Sequence, residues 1–93
     1  MFLGSTFNGD ISNWDVSSVD NMNFMFNNSI FNGDISNWDV SSVYSMEYMF
    51  SNSIFNKDLS NWNVSNVYEC AGFSNSTSQW TLPKPNFTNC NPN

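Results

Sequence analysis

The sequence predicts a repeat solenoid: short parallel β-strands joined by helical or irregular arcs, about three coils in all, closed by a C-terminal cap. Three observations lead there. A 24-residue self-similarity runs through most of the chain. Each repeat carries apolar residues first at strand-like and then at helix-like spacing. The pattern stops near residue 75, ahead of a tail rich in Asn and Pro.

Internal repeats decide architecture before any local reading does. Phe7, Phe31 and Phe55 lie 24 residues apart, as do Trp14, Trp38 and Trp62, then Val16, Val40 and Val64, and Val19, Val43 and Val67. The segment FNGDISNWDVSSV occurs verbatim at 7–19 and 31–43, and its third copy at 55–67 reads FNKDLSNWNVSNV. Met1-Phe2 aligns with Met25-Phe26 and Met49-Phe50, and Ser5 with Ser29 and Ser53, so the first coil opens inside a repeat. That suggests a piece of a longer array, or a subunit whose open end is covered by a neighbour. Residues 1–75 are assigned to the repeats and 76–93 to the cap. There Ser78-Gln79 replaces the Ile-Phe pair of the earlier repeats, and Pro83 and Pro85 suit a terminating segment because they donate no ladder hydrogen bond.

Ile11-x-x-Trp14-x-Val16 has the spacing of a leucine-rich-repeat strand, with Trp14 and Val16 on one face and Asp15 and Ser17 on the other. Met22, Met25 and Phe26 sit at i, i+3 and i+4, which predicts a short helical arc over 21–27. Asn32-Gly33-Asp34 reads as the turn into the next strand. One such coil cannot bury its apolar face alone, and stacking supplies the core. The tryptophans at 14, 38 and 62 hold a core position of this pattern, which weighs against a glycan-stacking platform.

These residues carry a family resemblance. FNGDISNWDVSSVDNMNFMF resembles the repeat of the BspA-like leucine-rich-repeat surface proteins, in the subgroup with a W-D-V-S-x-V…M-F pattern once described as a Mycoplasma domain of unknown function. The resemblance covers residues 1 to about 74. It implies a cell-surface or extracellular protein that works in adhesion or protein binding. The third repeat departs from the pattern with Asn63 for Asp, Cys70 for Met, and Ala71-Gly72-Phe73 for the aromatic-Met-Phe run.

Composition narrows the function. The net charge is −6 with two lysines, Lys57 and Lys84, and no His. Nucleic-acid backbones and anionic membranes need a basic surface that this chain lacks. No apolar run is long enough to span a bilayer. No His-based acid–base pair, phosphate loop or activated nucleophile is present, so a binding module is expected rather than an enzyme. The expected binding face is the exposed strand row of Ser12, Asn13, Asp15 and Ser17, with its equivalents Ser36, Asn37, Asp39 and Ser41, and Ser60, Asn61, Asn63 and Ser65. Its partner would be an extracellular protein or glycan, basic or bridged by a cation. No cofactor is expected, although stacked Asp15 and Asp39 are weak calcium candidates. Asp10, Asp34 and Asp58 are read as Asx-type turn residues.

Cys70 and Cys90 are the chain's two cysteines. In an oxidising compartment they would form a disulfide tying cap to repeats. Asn27, Asn63, Asn75 and Asn86 begin N-x-S/T sequons open to glycosylation in a secreting eukaryote. The alternative to a recognition module is a structural subunit stacking end to end into a filament or surface layer, with or without glycosylation.

Overall fold

Each repeat is built from two tandem five-residue units, Asp-apolar-Ser-x-apolar. In the computed structural model, which describes Gly4 and residues 6–93, the Asp10 carboxylate accepts both the N–H (3.0 Å) and the hydroxyl (2.7 Å) of Ser12. The same pair of bonds joins Asp15 to Ser17, Asp34 to Ser36, Asp39 to Ser41 and Asp58 to Ser60. Asn63 makes them to Ser65 with its carboxamide oxygen. Locking the side chain onto the residue two ahead bends the backbone. A β-turn follows each lock: the N–H of Trp14 donates to the Ile11 carbonyl at 3.1 Å and that of Val19 to Val16 at 3.0 Å, with equivalents in the next two repeats.

This overturns the parallel-strand solenoid. Among the described residues there is no helix and no sheet, and parallel pairing shrinks to isolated bridges at Asn21–Ser45 and Ser45–Glu69. Turns at 12–13 and 17–18 break the segment that was expected to run extended through Trp14 and Val16. The predicted turn at Asn32-Gly33-Asp34 lies between turns, and the chain bends at 36–37 instead. The helical arc fails for a second reason. Phe24 (φ 60°) and Asn28 (φ 54°) occupy the left-handed region, as do Tyr48, Asn52 and Ser76 in the following repeats, and a right-handed helix cannot pass through such residues. Gly4 and Gly72 complete the two columns, Gly4/Asn28/Asn52/Ser76 and Phe24/Tyr48/Gly72. The opening of the first repeat at Met1, Phe2 and Ser5 lies outside the described residues.

The 24-residue period governs how successive turns-rich repeats pack. The N–H groups of Met22, Phe24, Phe26 and Asn28 donate to the carbonyls of Ser45, Glu47, Met49 and Ser51 at 2.8–2.9 Å, and those of Met46, Tyr48, Phe50 and Asn52 repeat the pattern toward residues 69–75. Side-chain amides reinforce the register. The Asn8 carboxamide oxygen accepts the Asn32 N–H, and that of Asn32 accepts the Asn56 N–H. The Asn56 oxygen accepts from Thr81 and Leu82, so the final segment continues the ladder.

Phenylalanines fill the interior in two columns. Phe7, Phe31 and Phe55 stack with centroids 6.1–6.3 Å apart, and Phe26 and Phe50 at 5.4 Å, with Phe26–Phe31 and Phe50–Phe55 joining the columns at 4.3–4.5 Å. Offset stacking of this kind adds to the gain from burial alone. Trp38 and Trp62 are buried and donate their indole N–H to the carbonyls of Ile11 and Ile35, one repeat back, at 3.0–3.1 Å. The indole thus fills space and gives a second donor to a carbonyl that already accepts the N–H of its own turn.

Beyond residue 75, Trp80 sits edge-on to Phe55 at 4.9 Å and to Phe50 at 5.2 Å, occupying the end of the phenylalanine columns. Its indole donates to the Lys57 carbonyl, and Leu59 donates to Pro83. Phe87 packs edge-on to Phe73 at 4.9 Å. Cys70 and Cys90 form the expected disulfide, with Cα atoms 5.9 Å apart.

Candidate functional site

The twelve polar residues expected on one strand face instead occupy two rows of turns. Ser12-Asn13, Ser36-Asn37 and Ser60-Asn61 are the corners of the first row. The second row is Asp15/Ser17, Asp39/Ser41 and Asn63/Ser65. None of the twelve is buried. Each Ser is held by a side-chain hydrogen bond to its Asp or Asn two residues back. Asn13, Asn37 and Asn61 occupy the third position of a β-turn and are exposed.

A groove of about 390 Å³ lies between the first two turns of the first row. Asn8, Gly9, Asp10, Ser12, Gly33, Asp34 and Asn37 line it. Asn8, Asp10 and Asp34 therefore belong to the polar surface as much as the residues singled out from sequence. A Cβ on Gly9 would lie 2.8 Å from the Phe7 ring, and one on Gly33 equally close to Phe31, whereas the third repeat carries Lys57 at this position.

The carboxylates of these rows are acidified by their own turns. The Ser12 N–H and then its hydroxyl hold Asp10 below the ordinary value of 3.8. At Asp15, Asp34, Asp39 and Asp58 the serine hydroxyl contributes most and the serine N–H next. Lys57 adds a small pull on Asp34, and the charge of Asp15 pushes slightly the other way on Asp39. Asp15 and Asp39, the calcium candidates, each commit an oxygen to serine. Among the described residues no three acidic, Cys or His side chains gather where they could hold a metal ion.

Of the sequon residues, Asn63, Asn75 and Asn86 are exposed and Asn27 is half-buried, its amide directed at the Tyr48 carbonyl at 3.4 Å. Trp38 and Trp62 are 4 % exposed, as core residues should be, whereas Trp14 is 45 % exposed.

A second surface was not anticipated. Segments 20–24, 44–48 and 68–72 lie side by side, joined by the two parallel bridges and by bonds such as Tyr44 N–H to Asp20 (2.8 Å) and Tyr68 N–H to Tyr44 (3.0 Å). They expose Phe24, Tyr44, Tyr48 and Tyr68. The rings of Phe24 and Tyr48 stack at 5.4 Å. A sequence signal existed: these outward positions differ among repeats that are otherwise near copies, reading Asp/Tyr/Tyr at 20, 44 and 68.

No helix among the described residues is long and apolar enough to cross a membrane. No curated protein and no solved structure matches the chain. The family described as Mycoplasma protein of unknown function, DUF285, matches residues 1–88, running past the point where the repeat pattern fades. With nearly the whole length covered by that match, the chain belongs to the DUF285 family.

Proposed function

We propose that this chain is a recognition or adhesion module displayed outside the cell, akin to the BspA-like surface proteins, which binds a protein or glycan through its Asx-turn rows. One observation carries this reading: Asn, Ser and Asp side chains recur at a fixed register along both rows, none of them buried, on bases locked by local hydrogen bonds. A surface fixed before binding spends little conformational entropy when a partner docks. The carboxylates recur with the repeat and bond to serine, an arrangement that serves structure and display rather than proton transfer.

The test is saturable binding of labelled protein to a glycan array and to intact cells, against the Asn13→Ala/Asn37→Ala/Asn61→Ala variant. These side chains stand outside the core, so the variant should keep its unfolding midpoint and lose at least about tenfold in affinity. The proposal fails if no surface or glycan binds saturably, or if the variant binds as the parent does. Assemblies that survive dilution in sedimentation would replace it with the structural-subunit reading.

A further inference from the structure

The repeats of this chain serve as an internal comparison. Positions 7–19 and 31–43 are identical, so core, turns and polar rows are held constant. The adjacent segment is not: Asp20-Asn-Met-Asn-Phe24 becomes Tyr44-Ser-Met-Glu-Tyr48 and then Tyr68-Glu-Cys-Ala-Gly72. The central residue of each, Met22, Met46 or Cys70, is buried. The changes fall on the residues around it.

What those changes introduce is selective. All three tyrosines of the protein (44, 48 and 68) and both glutamates (47 and 69) lie in these segments, together with Asp20 and Phe24. Neither lysine does. Parallel neighbours lie about 4.8 Å apart and an extended residue spans about 3.3 Å, so the strip measures on the order of 10 by 13 Å. Its four aromatic side chains are 37–62 % exposed.

Backbone geometry adds that two of these rings stand where bulky residues are uncommon. Phe24, Tyr48 and Gly72 share one left-handed column with φ of 55–66°. Gly72 adopts that conformation without strain, whereas bulky residues are uncommon in it. Two of three repeats nevertheless place a ring there, at the surface.

We propose that this strip is a docking site for a cationic protein segment, one rich in Arg or Lys. Aromatic faces and edges interleaved with carboxylates offer a guanidinium or ammonium both cation–π contact and charge pairing, and Tyr is among the residues that most often dominate interface energies. Charge complementarity selects the occupant, since the strip carries Asp20, Glu47 and Glu69 and no cation, on a chain of net charge −6. The proposal rests on the recognition reading and adds, beside the polar rows, a separate contact for a cationic partner.

The probe is a fluorescent Arg-Gly repeat decapeptide, with its Lys-Gly and Glu-Gly counterparts, titrated in anisotropy at low and physiological salt. Two variant pairs remove equal charge: Glu47→Gln/Glu69→Gln on the strip, and Asp15→Asn/Asp39→Asn on the second row, where Asn63 shows that an amide keeps the turn. A third variant, Tyr44→Ser/Tyr68→Ser, removes two exposed rings. The expected result is binding of the Arg and Lys peptides only, weakened about tenfold or more by either strip variant and less than about twofold by the row variant. Equal loss from both charge pairs would reduce the effect to net-charge attraction and overturn the proposal, as would failure of every cationic peptide to bind. Loss of cell or glycan binding with Asn13, Asn37 and Asn61 replaced, but not with the strip variants, would retire the strip and leave the recognition reading intact.

Discussion

Gly72→Ala tests the left-handed column and the packing of the aromatic strip together. Gly72 has φ +66°, and a Cβ placed on it would fall within the van der Waals envelope of the Tyr48 ring. An L-residue in this conformation costs about 1–2 kcal/mol. The ring must also swing aside, which removes its stacking on Phe24 at 5.4 Å, worth about 0.5–1.5 kcal/mol for a ring pair. Together the substitution should destabilise by about 2–3 kcal/mol. In a Tyr48→Ala background the steric conflict and the stack are already gone, so only the backbone cost of about 1–2 kcal/mol remains, and the coupling is about 1 kcal/mol. Urea unfolding of the four proteins of the cycle reads this directly, with midpoints compared at constant m-value. Equal destabilisation in both backgrounds would show that Tyr48 does not lie over Gly72. A neutral Gly72→Ala in the parent would show that the column is not left-handed at all.

Trp38→Phe removes one of two donors to the buried Ile11 carbonyl and leaves a gap in the core, and should cost about 1–3 kcal/mol in the same assay, with Trp14→Phe costing less than half as much because Trp14 is far more exposed. Reducing Cys70–Cys90 frees a loop closed across a separation of 20 residues; on the chain-entropy account this loses about 3 kcal/mol, visible as a lower thermal midpoint in reductant that is absent in the Cys70→Ser/Cys90→Ser variant. Asp10, Asp15, Asp34, Asp39 and Asp58 are held below 3.8 in the folded chain. A depressed carboxylate contributes stability that is complete above its unfolded value and lost as pH falls through the folded one. The urea midpoint should therefore drop as pH is lowered below about 4. Replacing all five with Asn should remove that dependence and still leave a folded chain.

The period, the core tryptophans at 38 and 62, the Asx reading of Asp10, Asp34 and Asp58, and the disulfide were legible because each depends on residue identity at fixed spacing. The conformation of the repeat was not. Ile11, Trp14 and Val16 have the spacing of a strand, and the same spacing arises when a β-turn after Ile11 and an Asx lock at Asp15 bring alternate apolar residues inward. What distinguishes the two is the serine two residues after each aspartate, a local competitor to ladder hydrogen bonding. Met22, Met25 and Phe26 likewise fit one face of a helix. The left-handed residue among them is Phe24, a type with no intrinsic preference for that region, so nothing short of the neighbouring repeat's carbonyl at Glu47 marks the site as non-helical.

The polar rows and the aromatic strip differ in how a sequence can reveal them. Ser12, Asn13, Asp15 and their equivalents are conspicuous because they repeat, and for Asp and Ser the recurrence also serves the turn locks. Residues 20–24, 44–48 and 68–72 draw no attention by motif, because they break the pattern. In a chain where Met22 and Met46 are kept in the core while Asp20 gives way to Tyr44 and Asn23 to Glu47, packing tolerates the variation and does not explain its direction. Random drift at exposed positions of an Asn- and Ser-rich chain would yield more Asn and Ser. The enrichment in tyrosine and glutamate is therefore a departure from the repeat that packing alone does not account for, and the strip variants test whether it serves a partner.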